Sequence, residues 1–119
     1  MTSRPEVRPA TNADLEAFYG VRPPATVRAL VAELDGELVG IGGIEYVGRQ
    51  RIAFCWVKPG LKVYPLVIAR AARQVLKMAN GAPVIAFGDP EEPTSDRFLS
   101  RLGFEKRGAA PQGEVYIHE

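Results

Sequence analysis

The sequence predicts an α/β chain of the α+β kind: one mixed sheet with helices on its faces. Three observations carry that prediction. Between positions 26 and 57, short runs of β-forming residues are separated by strong turn signals, which makes an antiparallel meander. A segment of helical spacing from Pro65 then leads to a wholly apolar run, Pro83–Phe87, which makes a helical crossover into a parallel strand. The remainder reads as one more helix and a closing hairpin, so the order is β-α-β-β-β-α-β-α-β-β.

Each element has its own signal. Glu6–Ala10 is a short first strand. Asn12 can cap a helix, acids sit in its first turn, and Gly20 and Pro23-Pro24 stop it after Tyr19. Thr26–Leu34 alternates as a strand. Asp35-Gly36 is a two-residue hairpin turn, and Glu37–Val47 is the return strand. Gly40, Gly42 and Gly43 lie inside that strand, where glycine marks a bulge or a close approach. Gly48-Arg49-Gln50 turns the chain into Arg51–Val57. Ile52, Phe54 and Trp56 there share one face, and Ala53, Cys55 and Val57 the other. A loop from Lys58 to Tyr64 leads to Pro65, which suits the first turn of a helix. That helix runs to Ala79, buries Ile68, Ala72, Val75 and Ala79, and turns Arg70, Arg73, Gln74 and Lys77 outward. Asn80-Gly81 ends it. Pro83–Phe87 reads as a strand buried on both faces. Thr94 or Ser95 caps a last helix that ends at Gly103, and Phe104–Arg107 pairs with Gly113–His118.

With 119 residues the chain is expected to form a single domain, 1–119. It is 46% hydrophobic and 24% charged, too apolar for a disordered chain. Its net charge of +1 gives no global field for nucleic acid or for a membrane surface. One cysteine and one histidine exclude an internal disulfide and a zinc site built on several such ligands. No apolar stretch is long enough to span a membrane and the N-terminus lacks the core of a signal peptide, so the expected location is the cytoplasm. No acidic residue lies between Glu45 and Asp89, whereas Arg49, Arg51, Lys58, Lys62, Arg70, Arg73 and Lys77 do. That interval is either a solvated surface or a site for a polyanionic small molecule.

Several segments match one family. Val7-Arg8-Pro9-Ala10-Thr11 followed by Ala13-Asp14-Leu15, Leu34-Asp35-Gly36-Glu37-Leu38-Val39-Gly40, Val57-Lys58-Pro59 and Leu102-Gly103-Phe104-Glu105 stand in order along nearly the whole chain. In these segments the chain resembles the GNAT family of acetyl-CoA-dependent N-acetyltransferases, and most of all its compact phage and prophage members. The resemblance implies a GNAT-like (acyl-CoA N-acyltransferase) fold and acetyl-CoA as cosubstrate. It implies that Cys55, Trp56, Val57 and Lys58 line the cofactor, with the loop and helix start Lys62, Val63, Tyr64, Pro65, Leu66 and Val67. Lys58, Lys62 and Arg70 would stand near its phosphates. A backbone N–H near Val57 would polarise the thioester, and a bulge there would open a cleft toward Pro83–Phe87.

Two departures from the family pattern bear on chemistry. The family's cofactor loop reads Gln/Arg-x-x-Gly-x-Gly/Ala; here the basic position is Lys62, and the glycines are replaced by Pro65 and Val67. Proline removes an N–H and valine adds a side chain where backbone approaches phosphate. The family's tyrosine acid, five residues before Phe104, is Leu99. Glu45, Tyr64 and Asp89 are the substitute catalytic candidates. Each has a plain reading too: an exposed strand residue, a lid over the core, and a turn former before Pro90. Cys55 reads as a buried, inert cysteine and His118 as structural. The leading function is acetyl transfer to a small-molecule amine or peptide, with no nucleic-acid or membrane partner and with a homodimer left open. The alternative is a GNAT-fold binding or phage accessory protein without catalysis.

Overall fold

In the computed structural model, which describes residues 4–21, 26–61, 64–88, 94–111 and 113–119, Asp35 and Gly36 both take positive φ, 54° and 80°. Two successive positive φ values are what a type I′ turn requires. The turn joins β2 (Thr26–Leu34) to β3 (Glu37–Val47), and a second turn at Gly48 leads into β4 (Gln50–Val57). Ahead of them lie β1 (Glu6–Pro9) and α1 (Asn12–Tyr19); after them come α2 (Pro65–Met78), β5 (Val84–Gly88), α3 (Ser95–Arg101), β6 (Glu105–Ala110) and β7 (Gly113–His118).

The element order agrees with the sequence reading, and the described residues form one seven-stranded sheet in the order β1-β2-β3-β4-β5-β7-β6. Only β4 and β5 run parallel. α1 packs Leu15 on one face of the sheet, over Ala29, Val31 and Ile41. α2 brings Val75 and Ala79 to the other face, over Leu30, Ile44, Val84, Ala86 and Tyr116, where Leu99 and Leu102 at α3 also pack. No helix among the described residues is long and apolar enough to cross a membrane.

Several boundaries and contacts differ from expectation. Thr11, not Asn12, caps α1: its hydroxyl accepts the Asp14 N–H, and the Asp14 carboxylate accepts the Thr11 N–H at 2.7 Å. β5 begins at Val84 rather than Pro83, and only its α2 face is fully buried; Ile85 and Phe87 remain half-buried. α3 stops at Arg101, and β6 runs on to Ala110. The bulge in this region lies between Ala32 and Glu33, in the β2–β3 pairing.

Asp14 is also bound by Arg8 at 2.6 Å, and Arg8 bridges on to Glu33. The Arg8 guanidinium first, and the Thr11 N–H second, hold the Asp14 carboxyl well below the usual carboxylate range. A depressed pKa stabilises the fold above the unfolded value of about 3.9, and the contribution is lost as pH falls below it. Asp14→Ala is therefore expected to cost about 1–2 kcal/mol at pH 7, the range of a lost helix cap. The difference between variant and parent should shrink in urea titrations repeated toward pH 3.

Candidate functional site

β4 and β5 pair at Ile52↔Ile85 and Ala53↔Ala86 and no further. Beyond that point β4 stays with β3 through Gly43↔Phe54, Gly42↔Cys55, Ile41↔Trp56 and Gly40↔Val57, while β5 stays with β7. A notch opens between them. The β3–β4 register is unbroken from Val47↔Gln50 to Gly40↔Val57, so the expected bulge near Val57 is absent and the notch comes from β5 leaving its neighbour.

The main chain along this notch can be read from the ladder. Lys58 N–H bonds the Val39 carbonyl at 2.8 Å, toward β3. Successive residues of an antiparallel strand turn their N–H and C=O to opposite sides. The groups of Trp56 therefore face β3, and those of Cys55 and Val57 face the notch. With no strand partner there among the described residues, they present donors and acceptors to an extended guest. Cys55 itself is exposed rather than buried, although the protein around it still desolvates the thiol and pushes its pKa up.

The start of α2 borders the same region. Pro65 occupies the first turn, and Tyr64 stands at the N-cap position, where its side chain makes no capping bond to the helix. Tyr64 N–H bonds Leu61 O at 2.9 Å, and Val67 N–H bonds Tyr64 O at 3.1 Å. Proline has no N–H, and the N–H groups of Val67 and Ile68 both bond Tyr64 O, so this first turn offers fewer donors than an ordinary helix start. Val67 turns inward with Tyr64 onto the cluster of Ala32, Val39 and Leu61, which also receives Val57. Arg70 lines a groove of about 510 Å³ with Arg73, Lys77, Pro5 and Val7, on the flank of α2 toward β1. Lys58 pairs with Glu37 at 2.7 Å. Lys62 and Val63 lie outside the described residues.

The catalytic candidates do not converge. Glu45 lies on the α1 face and accepts a hydrogen bond from the Tyr19 hydroxyl at 2.5 Å. Burial, then this carboxylate, pushes the Tyr19 phenol pKa up. The register partner of Glu45, Ile52, stands five positions before Val57, about 17 Å of strand at ~3.3 Å per residue. Tyr64 is half-buried beside the Val57 cluster. Asp89 lies outside the described residues. Leu99 packs in the core that holds Tyr116. The hydroxyl of Tyr116 is engaged by Asp96 and Glu114, and the hydrogen bond to Asp96 is the main cause of its raised pKa. His118 packs edge-on against Phe104, a structural role.

Sequence reasoning missed Phe18. Its ring stacks on Phe54 at 5.8 Å and lies 6.2 Å from Trp56, beside the open end of β4. Its place three residues after Leu15, on the same face of a short helix, was the only signal available. The described residues hold no cluster of metal-ligating side chains.

Comparison of the sequence with protein-family models gives no match, and comparison with curated proteins gives none either. Solved structures do match. A domain from Methanocaldococcus jannaschii DSM 2661 has a TM-score of 0.69 at 15% identity, covering 98% of this chain and 98% of that one. The aminoglycoside acetyltransferase AAC(6')-Ib, solved with coenzyme A, has a TM-score of 0.66 at 16% identity over 97% and 94%. The PaiA N-acetyltransferase of Thermoplasma acidophilum, solved with coenzyme A, has 0.63 at 13% identity over 91% and 67%.

The chain has the GNAT fold.

At this level of identity the GNAT fold accounts for the backbone path. The side-chain chemistry of the notch is this chain's own.

Proposed function

We propose that the protein is an acetyltransferase that moves an acetyl group from acetyl-CoA to an amine. The observation that carries this reading is the unpaired edge of β4, where Cys55 and Val57 turn their main-chain groups into the notch. A pantetheine arm has amides that complement such an edge, so its chemistry fits the residues present. The Val57 N–H would then donate to the thioester carbonyl as negative charge builds on its oxygen. Leu66 N–H would face the pyrophosphate at the start of α2.

The transfer needs a neutral amine. Its nitrogen forms the C–N bond as the C–S bond breaks; sulfur leaves with the bonding pair and takes a proton, and nitrogen gives one up. Tyr64, which packs beside the Val57 cluster, would supply the sulfur's proton. Glu45, across the sheet, can accept the nitrogen's proton only through intervening water, and Asp89 remains a candidate for the same role. A thiol pKa near 8.5 makes this leaving group undemanding, so Leu99 in place of a tyrosine slows the reaction without forbidding it.

Leu99 and Pro65 favour a second reading, a GNAT-fold binding module without turnover. The two separate in one pair of measurements. Calorimetry with acetyl-CoA should show binding, and acetyl-pantetheine should bind within about tenfold of it, because Pro65 supplies no N–H and a single hydrogen bond to the phosphates contributes about 1–1.5 kcal/mol. No heat and no thermal shift at millimolar acetyl-CoA would overturn the cofactor reading. Binding without transfer to any of a broad set of amines would favour the module.

A further inference from the structure

We infer that the acyl acceptor is a primary amine carried on an aromatic or bulky apolar body, seated between α1 and the open end of β4. This rests on the reading of the β4 edge as the donor site. α2 begins on one face of the sheet, so a donor running from its N-terminus along β4 leaves the α1 face of the notch free. On that face lies a groove of about 400 Å³, within the range of small-molecule sites. Trp56 and Lys58 line it, and Val57, whose amide points into the notch, stands between them in the chain.

The walls are apolar. Ile41 is buried and Leu38 half-buried beneath it. Phe18 and Trp56 rise beside them, yet remain 38% and 45% exposed. Phe18 packs edge-on against Tyr19 at 5.0 Å and stacks on Phe54, so its ring is held in place before any guest arrives. Large aromatics left open at a groove beside an unpaired strand edge mark a surface waiting to be covered.

The charges at the rim are already spent. Asp14 is held by Arg8 and Thr11, and Lys58 by Glu37. No free carboxylate among the described residues lines the groove to receive additional ammonium groups, so a polycation would shed water there without a partner. A single amine on an aromatic body gains the ring contacts instead, and desolvation favours the neutral form that can attack. The amine nitrogen bonds the acetyl carbon, the C–S bond breaks, the sulfur keeps that pair and is protonated, and the ammonium proton passes to water.

Trp56 is the only tryptophan, so its fluorescence reports this groove without any need for turnover. The protein saturated with desulfo-CoA is titrated with 2-phenylethylamine, phenylalanine amide, spermidine and kanamycin. The first two should give saturable changes, and Phe18→Ala should weaken them at least about tenfold; Phe18→Leu, which keeps bulk, serves if the alanine variant does not fold. In acetyl transfer, kcat/KM for 2-phenylethylamine should exceed that for spermidine by at least about tenfold, and Phe18→Ala should raise its KM. Spermidine or kanamycin used as well or better would overturn the inference, as would a Phe18 variant with unchanged affinity. No fluorescence change and no turnover, with acetyl-CoA still bound by calorimetry, overturns the acceptor assignment alone. No binding of acetyl-CoA overturns the donor site and this inference with it.

Discussion

Gly43→Ala is expected to cost at least about 3 kcal/mol, a large fraction of the stability of a small domain. Gly43 is buried in β3, opposite Ala29 of β2. A Cβ there would stand 2.7 Å from the Ala29 Cβ and 2.8 Å from its Cα, and closer still to the Arg28 carbonyl oxygen. Two of these are main-chain atoms of a hydrogen-bonded ladder and the third is a Cβ fixed directly to it, so none can swing aside as the end of a long side chain can. Gly42→Ala is the internal control. Its Cβ would meet only the Phe54 carbonyl oxygen, at an ordinary 3.5 Å, and should cost about 1 kcal/mol or less. Urea unfolding of the two variants compares them directly; equal midpoints would contradict the close approach of β2 and β3.

Cys55→Trp should abolish acetyl-CoA binding, by about a hundredfold or more, while leaving the fold intact. Cys55 is exposed where β4 has lost β5 as a neighbour, so a larger side chain can extend over the surface there. Exposed positions of this kind change stability by about 0.5 kcal/mol. An indole there would cover the strand edge that the pantetheine arm needs. Because Cys55 is the single cysteine, alkylation with iodoacetamide reads the same place chemically. Saturating desulfo-CoA should slow that labelling at least about tenfold. Calorimetry that finds full affinity in the variant, or labelling that ignores desulfo-CoA, would move the donor away from this edge.

Much of the candidate site was legible in residue types, and little of it in residue placement. The loss of N–H at Pro65 is a property of proline and follows from residue type alone. That Val67 N–H and Tyr64 N–H are also consumed depends on how the chain closes the turn at Leu61 and Tyr64. Arg70 carries its charge in any fold, but helix packing turns it toward Pro5 and Val7. Cys55 has the apolar sequence neighbours of a core residue; it is exposed because burial on a strand depends on what lies across from it, and that is long-range. Phe18 joins the site only because α1 is laid against β4.

The sequence by itself determined the elements and their order. Asp35-Gly36 requires a tight hairpin, Pro65 and Asn80-Gly81 bound a helix, and alternation in Ile52–Val57 assigns two faces, all through local sterics and local periodicity. The tertiary structure alone decided that β7 inserts between β5 and β6, that β5 leaves β4 after Ala53↔Ala86, and that α1 and α2 take opposite faces. These are pairings between residues far apart in the chain, and their energy is the burial of apolar faces by whichever element arrives to cover them.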